Sequence, residues 1–348
     1  MFGVRVPRSV EDAIAIDRRN SNRLWQDAIG KELPKVSVAW TTYGGKHSLE
    51  ELRKGRAHDL VGYQEIKCHM IFDVKMSDLS RKAHFVAGGH MTEAPSSLTY
   101  SSIVSRDSVR IAFLLAALNG LDIQACDVSN AYLNAPCREK IWFEGGPECG
   151  AERGQIMIIK RALYGLKSSG AAWRKMLADS ITSLGFVTSQ IDPGVWLRAN
   201  QCPDGHRYYE MLLVYVNDIL IVSHEPLLHV QALQCMYTLK PESLGEPAMY
   251  LGANIAKSTT KGGTLCWSMS PNSYIAASIK FFEELLLGCT SHSGWFFVLF
   301  WLIVGSGFSA CAASLPARVQ VSHARSSVGS GFWGVFVFGF GFGFGFWW

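Results

Sequence analysis

Met211-Leu212-Leu213-Val214-Tyr215-Val216-Asn217-Asp218-Ile219-Leu220-Ile221-Val222 is the stretch on which the fold turns. Two apolar runs, 211–214 and 219–222, flank a short break that contains the polar pair Asn217-Asp218. Runs of this length and composition read as strands, and the break between them as a β-hairpin with its polar pair at the tip. A carboxylate on such a tip is a natural ligand for a hard divalent cation. Upstream, Leu121, Ile123 and Ala125 alternate with Asp122, Gln124 and Cys126, the period of a strand. That strand delivers a second candidate carboxylate, Asp127, at its C-terminal end.

Helices bracket these strands. Over 105–120, Ser105 or Asp107 supplies an N-cap, Val109, Ile111, Phe113, Leu114 and Leu118 supply apolar faces, and Asn119-Gly120 supplies the stop. A second helix is predicted over 169–184, with Trp173, Leu177, Ile181 and Leu184 on one face and Gly185 as terminator. Val195-Trp196-Leu197 reads as another strand. The order helix, strand with Asp, helix, strand, hairpin with Asp is an α+β arrangement in which non-adjacent strands pair. Such pairing would bring Asp127 and Asp218 onto one sheet.

The 348 residues suffice for one large domain or two ordinary ones. With 48% hydrophobic and 18% charged residues, global disorder is excluded as a reading. The net charge of +4 is compatible with a nucleic-acid partner and does not identify one. The nine cysteines are dispersed without a C-x-x-C pair, so they read as free thiols in a reducing compartment rather than as zinc ligands or a disulfide framework. Met1–Arg5 carries no apolar h-region, and no secretory signal is expected.

Composition changes near residue 288. After Glu284 there is no acidic residue, and Arg318 and Arg325 are the only basic ones beyond 288, which leaves +2 of the +4 to the body. The chain ends in alternating Phe and Gly over 338–346 followed by Trp347-Trp348, which resembles a translated simple repeat. Within this tail, 295–315 is uncharged and matches the roughly 20 apolar residues that span a bilayer. Arg318 and Arg325 would favour a cytoplasmic side for its end. The competing reading, a non-native apolar tail joined to the body without a linker, is the preferred one.

Seven motifs in order then give the chain a family resemblance. Trp25-Gln26-Asp27-Ala28-Ile29-Gly30-Lys31-Glu32, Arg81-Lys82-Ala83-His84-Phe85-Val86-Ala87 and Ser105–Arg110 come first. Asp127-Val128-Ser129-Asn130-Ala131-Tyr132-Leu133, Leu163-Tyr164-Gly165-Leu166-Lys167 with Trp173, Tyr215-Val216-Asn217-Asp218, and Trp267–Ser270 with Tyr274 complete the series. Over roughly residues 20–285 the sequence resembles the reverse transcriptase domain of copia-type retrotransposon polyproteins. The resemblance implies a right-hand polymerase fold with fingers and an antiparallel palm sheet, truncated, and carrying an unrelated low-complexity C-terminal tail. The expected organisation is an N-terminal lead over 1–24, fingers over 25–100, palm over 101–225, a palm or thumb-like end over 226–287, and the tail over 288–348.

It further implies template-directed nucleotidyl transfer with two Mg2+ ions. Asp127, the backbone of Val128, and Asp218 are the implied metal ligands. Asn217 stands where the family has the first Asp of its Y-V-D-D, so one negative charge is missing where two cations would approach. Arg81 and Lys82 are implied to meet the nucleotide triphosphate, with His84 in place of the family's usual Arg. Tyr132 is implied to pack beneath the incoming sugar and exclude a 2′-hydroxyl. Tyr164, Gly165 and Lys167 are implied to support template and primer. For Trp173, simple core packing is the preferred reading. The implied partners are an RNA or DNA template with its primer and deoxynucleoside triphosphates, in the cytoplasm or nucleus. No aspartic-protease motif, integrase zinc spacing or ribonuclease H segment is found. The expectation is therefore a fragment of a degenerate element whose catalysis is impaired, with a non-catalytic nucleic-acid-binding relic as the alternative.

Overall fold

The computed structural model describes residues 4–271 apart from 57, 76–78, 94–98, 260 and 264, together with 275, 276, 278 and 279. By contacts the chain divides between residues 277 and 278, and the architecture below is that of the first unit. Tyr274 and the segment 295–315 lie outside the described residues. Among those described, no helix is long and apolar enough to cross a membrane.

The central feature is a five-stranded antiparallel sheet. Its order is Asp122–Asp127, Asp218–Ser223, Arg207–Tyr215, Val195–Gln201 and Val187–Thr188. The runs 211–214 and 219–222 of the hairpin are apolar at every position because both faces of the sheet are covered there. Cys126, Leu212, Val214, Ile219 and Ile221 pack on one side with Trp173, Leu177 and Ile181 of the helix Ser169–Ser183 and with Val230 and Leu233 of the helix Pro226–Met236. Ile123, Met211, Leu213, Leu220 and Val222 enter a second core with Val109, Ala112, Phe113 and Ala116 of the helix Arg106–Asn119. Alternate side chains thus feed two cores, which a single-faced alternation rule does not anticipate.

Helix Arg106–Asn119 begins and ends as its sequence predicts. Ser105 Oγ accepts the Ser108 N–H at 3.1 Å, and Gly120 closes the helix at φ +62°. Asp192 reinforces this start by accepting from the Ser105 N–H at 2.9 Å and the Ser108 hydroxyl at 2.5 Å. The buried stripe differs from expectation. Ile111, Leu114 and Leu118 are exposed, and small residues, Ala112 and Ala116, face the sheet so that the helix lies close to it.

A third core belongs to the N-terminal part. The hairpin of Cys68–Val74 and Arg81–Ala87 packs with helix Leu24–Val36. Trp25 meets Phe72 edge-on with ring centroids 5.6 Å apart. The buried Asp17 carboxylate accepts the backbone N–H groups of Trp25 at 3.2 Å and Gln26 at 2.9 Å, satisfying donors that a helix start leaves orphaned. Beside it runs a four-stranded sheet of Trp40–Thr42, Ile156–Ile159, Ile141–Glu144 and Gln64–Ile66. A three-stranded sheet of Met249–Tyr250, Ala253–Thr259 and Leu265–Ser270 sends Trp267 against Phe113. The observed class is α+β.

Candidate active site

The sheet register brings the distant carboxylates together. Asp218 pairs directly with Asp127 across the antiparallel ladder, and Tyr215 pairs with Asp218 as the last rung of the hairpin. The turn therefore consists of Val216 and Asn217, one residue earlier than the expected polar pair. Asp218 is the first residue of its strand and is fixed by the sheet rather than carried on a loose tip.

Val216 adopts φ +58°. That left-handed conformation is an outlier for a β-branched residue. Positive φ at the first turn position alone is the type II′ pattern, which usually takes Gly there. Two hydrogen bonds hold the turn in place. The indole N–H of Trp173 donates to the Val216 carbonyl at 2.8 Å, and the Val128 N–H donates to the Asn217 carbonyl at 2.9 Å. Trp173 is a core residue, as its sequence context suggested, and it also anchors the hairpin.

Both oxygens of Asp127 have partners. Asn217 Nδ2 donates to Oδ1 at 2.6 Å, and Lys240 Nζ donates to Oδ2 at 2.5 Å. Lys240 is placed by the segment 238–245, which runs beside the Asp127 strand on its free edge. Lys240 N–H donates to the Asp127 carbonyl, and Ser129 N–H to the Thr238 carbonyl, each at 2.9 Å. Ser243 Oγ accepts the Asp127 N–H at 2.9 Å and donates to the Lys240 carbonyl at 2.8 Å. Isolated bridges join Ala125 to Gly245 and Val128 to Leu239.

The electrostatics follow from this crowding. Burial first and the neighbouring Asp127 second push the Asp218 carboxyl up to about 6, against a partial opposing pull from Lys240. The Cys126 thiol is pushed up to about 12 by burial and by both carboxylates, so it stays protonated and inert at neutral pH. The Tyr250 phenol is also raised, by burial and then by Asp218, and its buried hydroxyl has no hydrogen-bond partner among the described residues.

The remaining candidates form a second group. The rings of Tyr132 and Tyr164 lie 6.0 Å apart, and burial raises both phenols. Gly165, at φ +95°, lies so close to the Arg81–Ala87 strand that an added Cβ would come within 2.1 Å of the Ala87 carbonyl oxygen. The Ala87 N–H donates to the Tyr164 carbonyl at 2.8 Å. Lys167 Nζ donates to the Thr92 carbonyl at 2.5 Å, which spends its charge on the backbone. Gly165 and Lys167 thus dock the 163–167 loop on the neighbouring hairpin and on the segment after it.

Arg81 packs its guanidinium over the Trp25 ring, 5.5 Å from the centroid, and donates to the Leu79 carbonyl. Lys82, next along the strand, is exposed on the opposite face. His84 Nδ1 approaches Glu32 Oε1 at 3.5 Å, so the first and second motifs meet at that position. Sequence reasoning missed Lys240 and Ser243, because nothing local links them to Asp127, more than 110 positions upstream, and it missed Tyr250, which no motif singles out.

Two Mg2+ ions call for clustered carboxylates with open oxygens. Here two carboxylates and the Val128 backbone are present, Asn217 presents an N–H donor to Asp127, and an ammonium takes its other oxygen. No group of three or more His, Cys, Asp or Glu suited to a metal occurs among the described residues. The side chains as arranged do not fit a pair of divalent cations.

Comparison with known proteins agrees with the order of the motifs. The family described as "Reverse transcriptase (RNA-dependent DNA polymerase)" matches residues 60–285. The chain is 27% identical over 233 residues to the retrovirus-related Pol polyprotein from transposon RE1 of Arabidopsis thaliana, covering 64% of this chain and 14% of that protein. It is 25% identical over 229 residues to the corresponding polyprotein from transposon TNT 1-94 of Nicotiana tabacum, covering 64% and 16%. A putative transposon Ty5-1 protein of Saccharomyces cerevisiae is 29% identical over 144 residues, covering 40% and 44%. The chain thus spans a small part of the polyproteins it matches. A register that sets Asp127 against Asp218, reached through ordered motifs of which six of the seven fall within the residues the family profile matches, places this chain in the reverse transcriptase family, as a domain of the copia type.

Proposed function

We propose that this chain is a right-hand RNA-directed DNA polymerase domain in which the chemical step is impaired. In this reading the hairpin of Cys68–Val74 and Arg81–Ala87 is part of the fingers, and the five-stranded sheet is the palm. The domain takes a primed template and deoxynucleoside triphosphates. Tyr132, stacked near Tyr164, lies under the incoming sugar, and exposed Lys82 meets its phosphates.

The observation that carries the reading is the Asp127–Asp218 register, with Asn217 turned onto Asp127 by its amide N–H. The family's reaction joins a primer 3′-hydroxyl to the α-phosphorus of the nucleotide and releases pyrophosphate, with divalent cations supplying charge stabilisation. In this chain Asp127 and Asp218 supply the carboxylates on the sheet, and Asn217 supplies a neutral amide. Loss of one charged ligand is worth about 4 kcal/mol in the transition state, on the order of a 10³-fold loss in rate.

Primer extension on an RNA template with Mg2+ or Mn2+ tests this. The unmodified full chain is expected to extend poorly, and Asn217→Asp to recover part of the activity. Robust extension by the unmodified chain, abolished in Asp127→Ala, would overturn the impairment.

A further inference from the structure

We propose that Lys240 is a tethered cation that balances Asp127 internally and keeps divalent cations off the Asp127–Asp218 pair. The inference rests on the reading of these two residues as the metal-binding carboxylates, and extends it to a residue that no motif singles out. Lys240 Nζ lies 2.5 Å from Asp127 Oδ2, a charge-assisted contact. It is built in rather than accidental. The Lys240 N–H is bonded to the Asp127 carbonyl, and Ser243 ties the Asp127 N–H to the Lys240 carbonyl. The lysine backbone is therefore locked to the residue whose side chain it neutralises.

Exposed ion pairs count for little; here the Asp127 side chain is only 16% exposed while Lys240 is 40% exposed, so the carboxylate end of the pair is shielded and the ammonium end stays partly open to solvent. With the Asn217 amide on the other oxygen, the charge of Asp127 is balanced and each of its oxygens already holds a donor before any ion arrives. A divalent cation must displace one of these donors or share an oxygen with it, in either case close to the ammonium charge, and Mg2+ in addition gives up its own waters reluctantly. The lost Asp at 217 and the tethered Lys240 act in the same direction, one removing negative charge and the other supplying positive charge.

Mn2+ binding to the full-length chain, read from the loss of the free-ion electron paramagnetic resonance signal, tests this without any turnover. Lys240→Met and Lys240→Gln are expected to bind Mn2+ at least about tenfold more tightly than the unmodified chain, a gain of about 1.4 kcal/mol. Lys240→Arg, which keeps the charge, should stay within about twofold of it. Adding Asp127→Asn to either neutral variant should abolish the gain. Circular dichroism confirms folding, and two neutral variants guard against one that misfolds. Affinities of both neutral variants within about twofold of the unmodified chain, or a gain that survives Asp127→Asn, would overturn the proposal. Primer extension separates the two readings. Tighter Mn2+ binding without extension in Asn217→Asp/Lys240→Met sinks the polymerase reading and leaves Lys240 in its role. Extension recovered by Asn217→Asp, with no change in Mn2+ affinity on neutralising Lys240, does the reverse.

Discussion

Asp218 carries a stability cost that can be measured in the absence of any ligand. Its carboxyl titrates near 6 in the fold, against an ordinary value of 3.8. The folded state therefore holds this proton more tightly than the unfolded state. The stability that the protonated acid contributes is fully present below pH 4 and is lost as pH rises through 6. Above that, the ionised carboxylate costs the fold on the order of 1–3 kcal/mol, the upper end being the full shift at about 1.36 kcal/mol per unit and the lower end allowing for solvent screening of a partly buried group. Asp218→Asn removes the titration and keeps the shape. The variant is expected to be about 1–3 kcal/mol more stable than the unmodified chain at pH 7–8, with the difference shrinking toward pH 4. Urea unfolding between pH 4 and 8 measures this, and parallel curves for the two proteins would refute it. Asn217 is the converse case. A third carboxylate there would face Asp127 at the 2.6 Å now spanned by an amide N–H, so the present residue suits a site without ions.

At the scale of elements, the strained turn is held by a neighbouring helix rather than by its own residues. Val216 stays at φ +58° while its carbonyl takes the indole N–H of Trp173, a side chain only 1% exposed. Trp173→Phe keeps an aromatic ring and removes that donor. An unsatisfied buried carbonyl costs about 1–3 kcal/mol, and this part-buried one falls toward the lower end, about 1 kcal/mol. The expected result is a stability loss of that order, with faster amide exchange over 215–218 than over the far end of the hairpin. Unchanged protection at 216–218 would show that the turn does not depend on the indole. The helix limits and the existence of the hairpin were legible locally, since Ser105, Gly120 and Gly185 are chemical stop and start signals. The exact turn residues were not. Two branched runs beside Asn-Asp suggest a polar tip, whereas the ladder that pairs Tyr215 with Asp218 moves the tip back to Val216-Asn217. The buried stripe of helix Arg106–Asn119 was likewise hidden, because an alanine face gives a weak hydrophobic signal against the exposed Ile111, Leu114 and Leu118.

Across the whole molecule, the decisive contacts join segments far apart in the chain. Asp127 meets Asn217 across 90 residues and Lys240 across 113. The first contact was foreseeable only through the order of motifs, and the second not at all, since the 238–245 segment forms a broken edge without strand periodicity. The same scale governs nucleic-acid binding. A net charge of +4 over 348 residues is too diffuse to steer a polyanion, so any hold on a primed template must come from local phosphate contacts. Lys167 already serves the Thr92 carbonyl and Lys240 serves Asp127, whereas Lys82 is exposed on the hairpin of Cys68–Val74 and Arg81–Ala87. Binding of the full chain to an RNA–DNA hybrid is therefore expected to be modest and salt-dependent. Neutralising about four phosphates gives a log–log slope near −3.6, or about a hundredfold weakening between about 50 and 200 mM salt. Lys82→Ala should reduce that slope by about one while leaving preference among sequences unchanged. Fluorescence anisotropy across the salt series reads both quantities. A flat salt response would rule out phosphate-driven binding of nucleic acid, and a slope unchanged by Lys82→Ala would take Lys82 out of contact with phosphate.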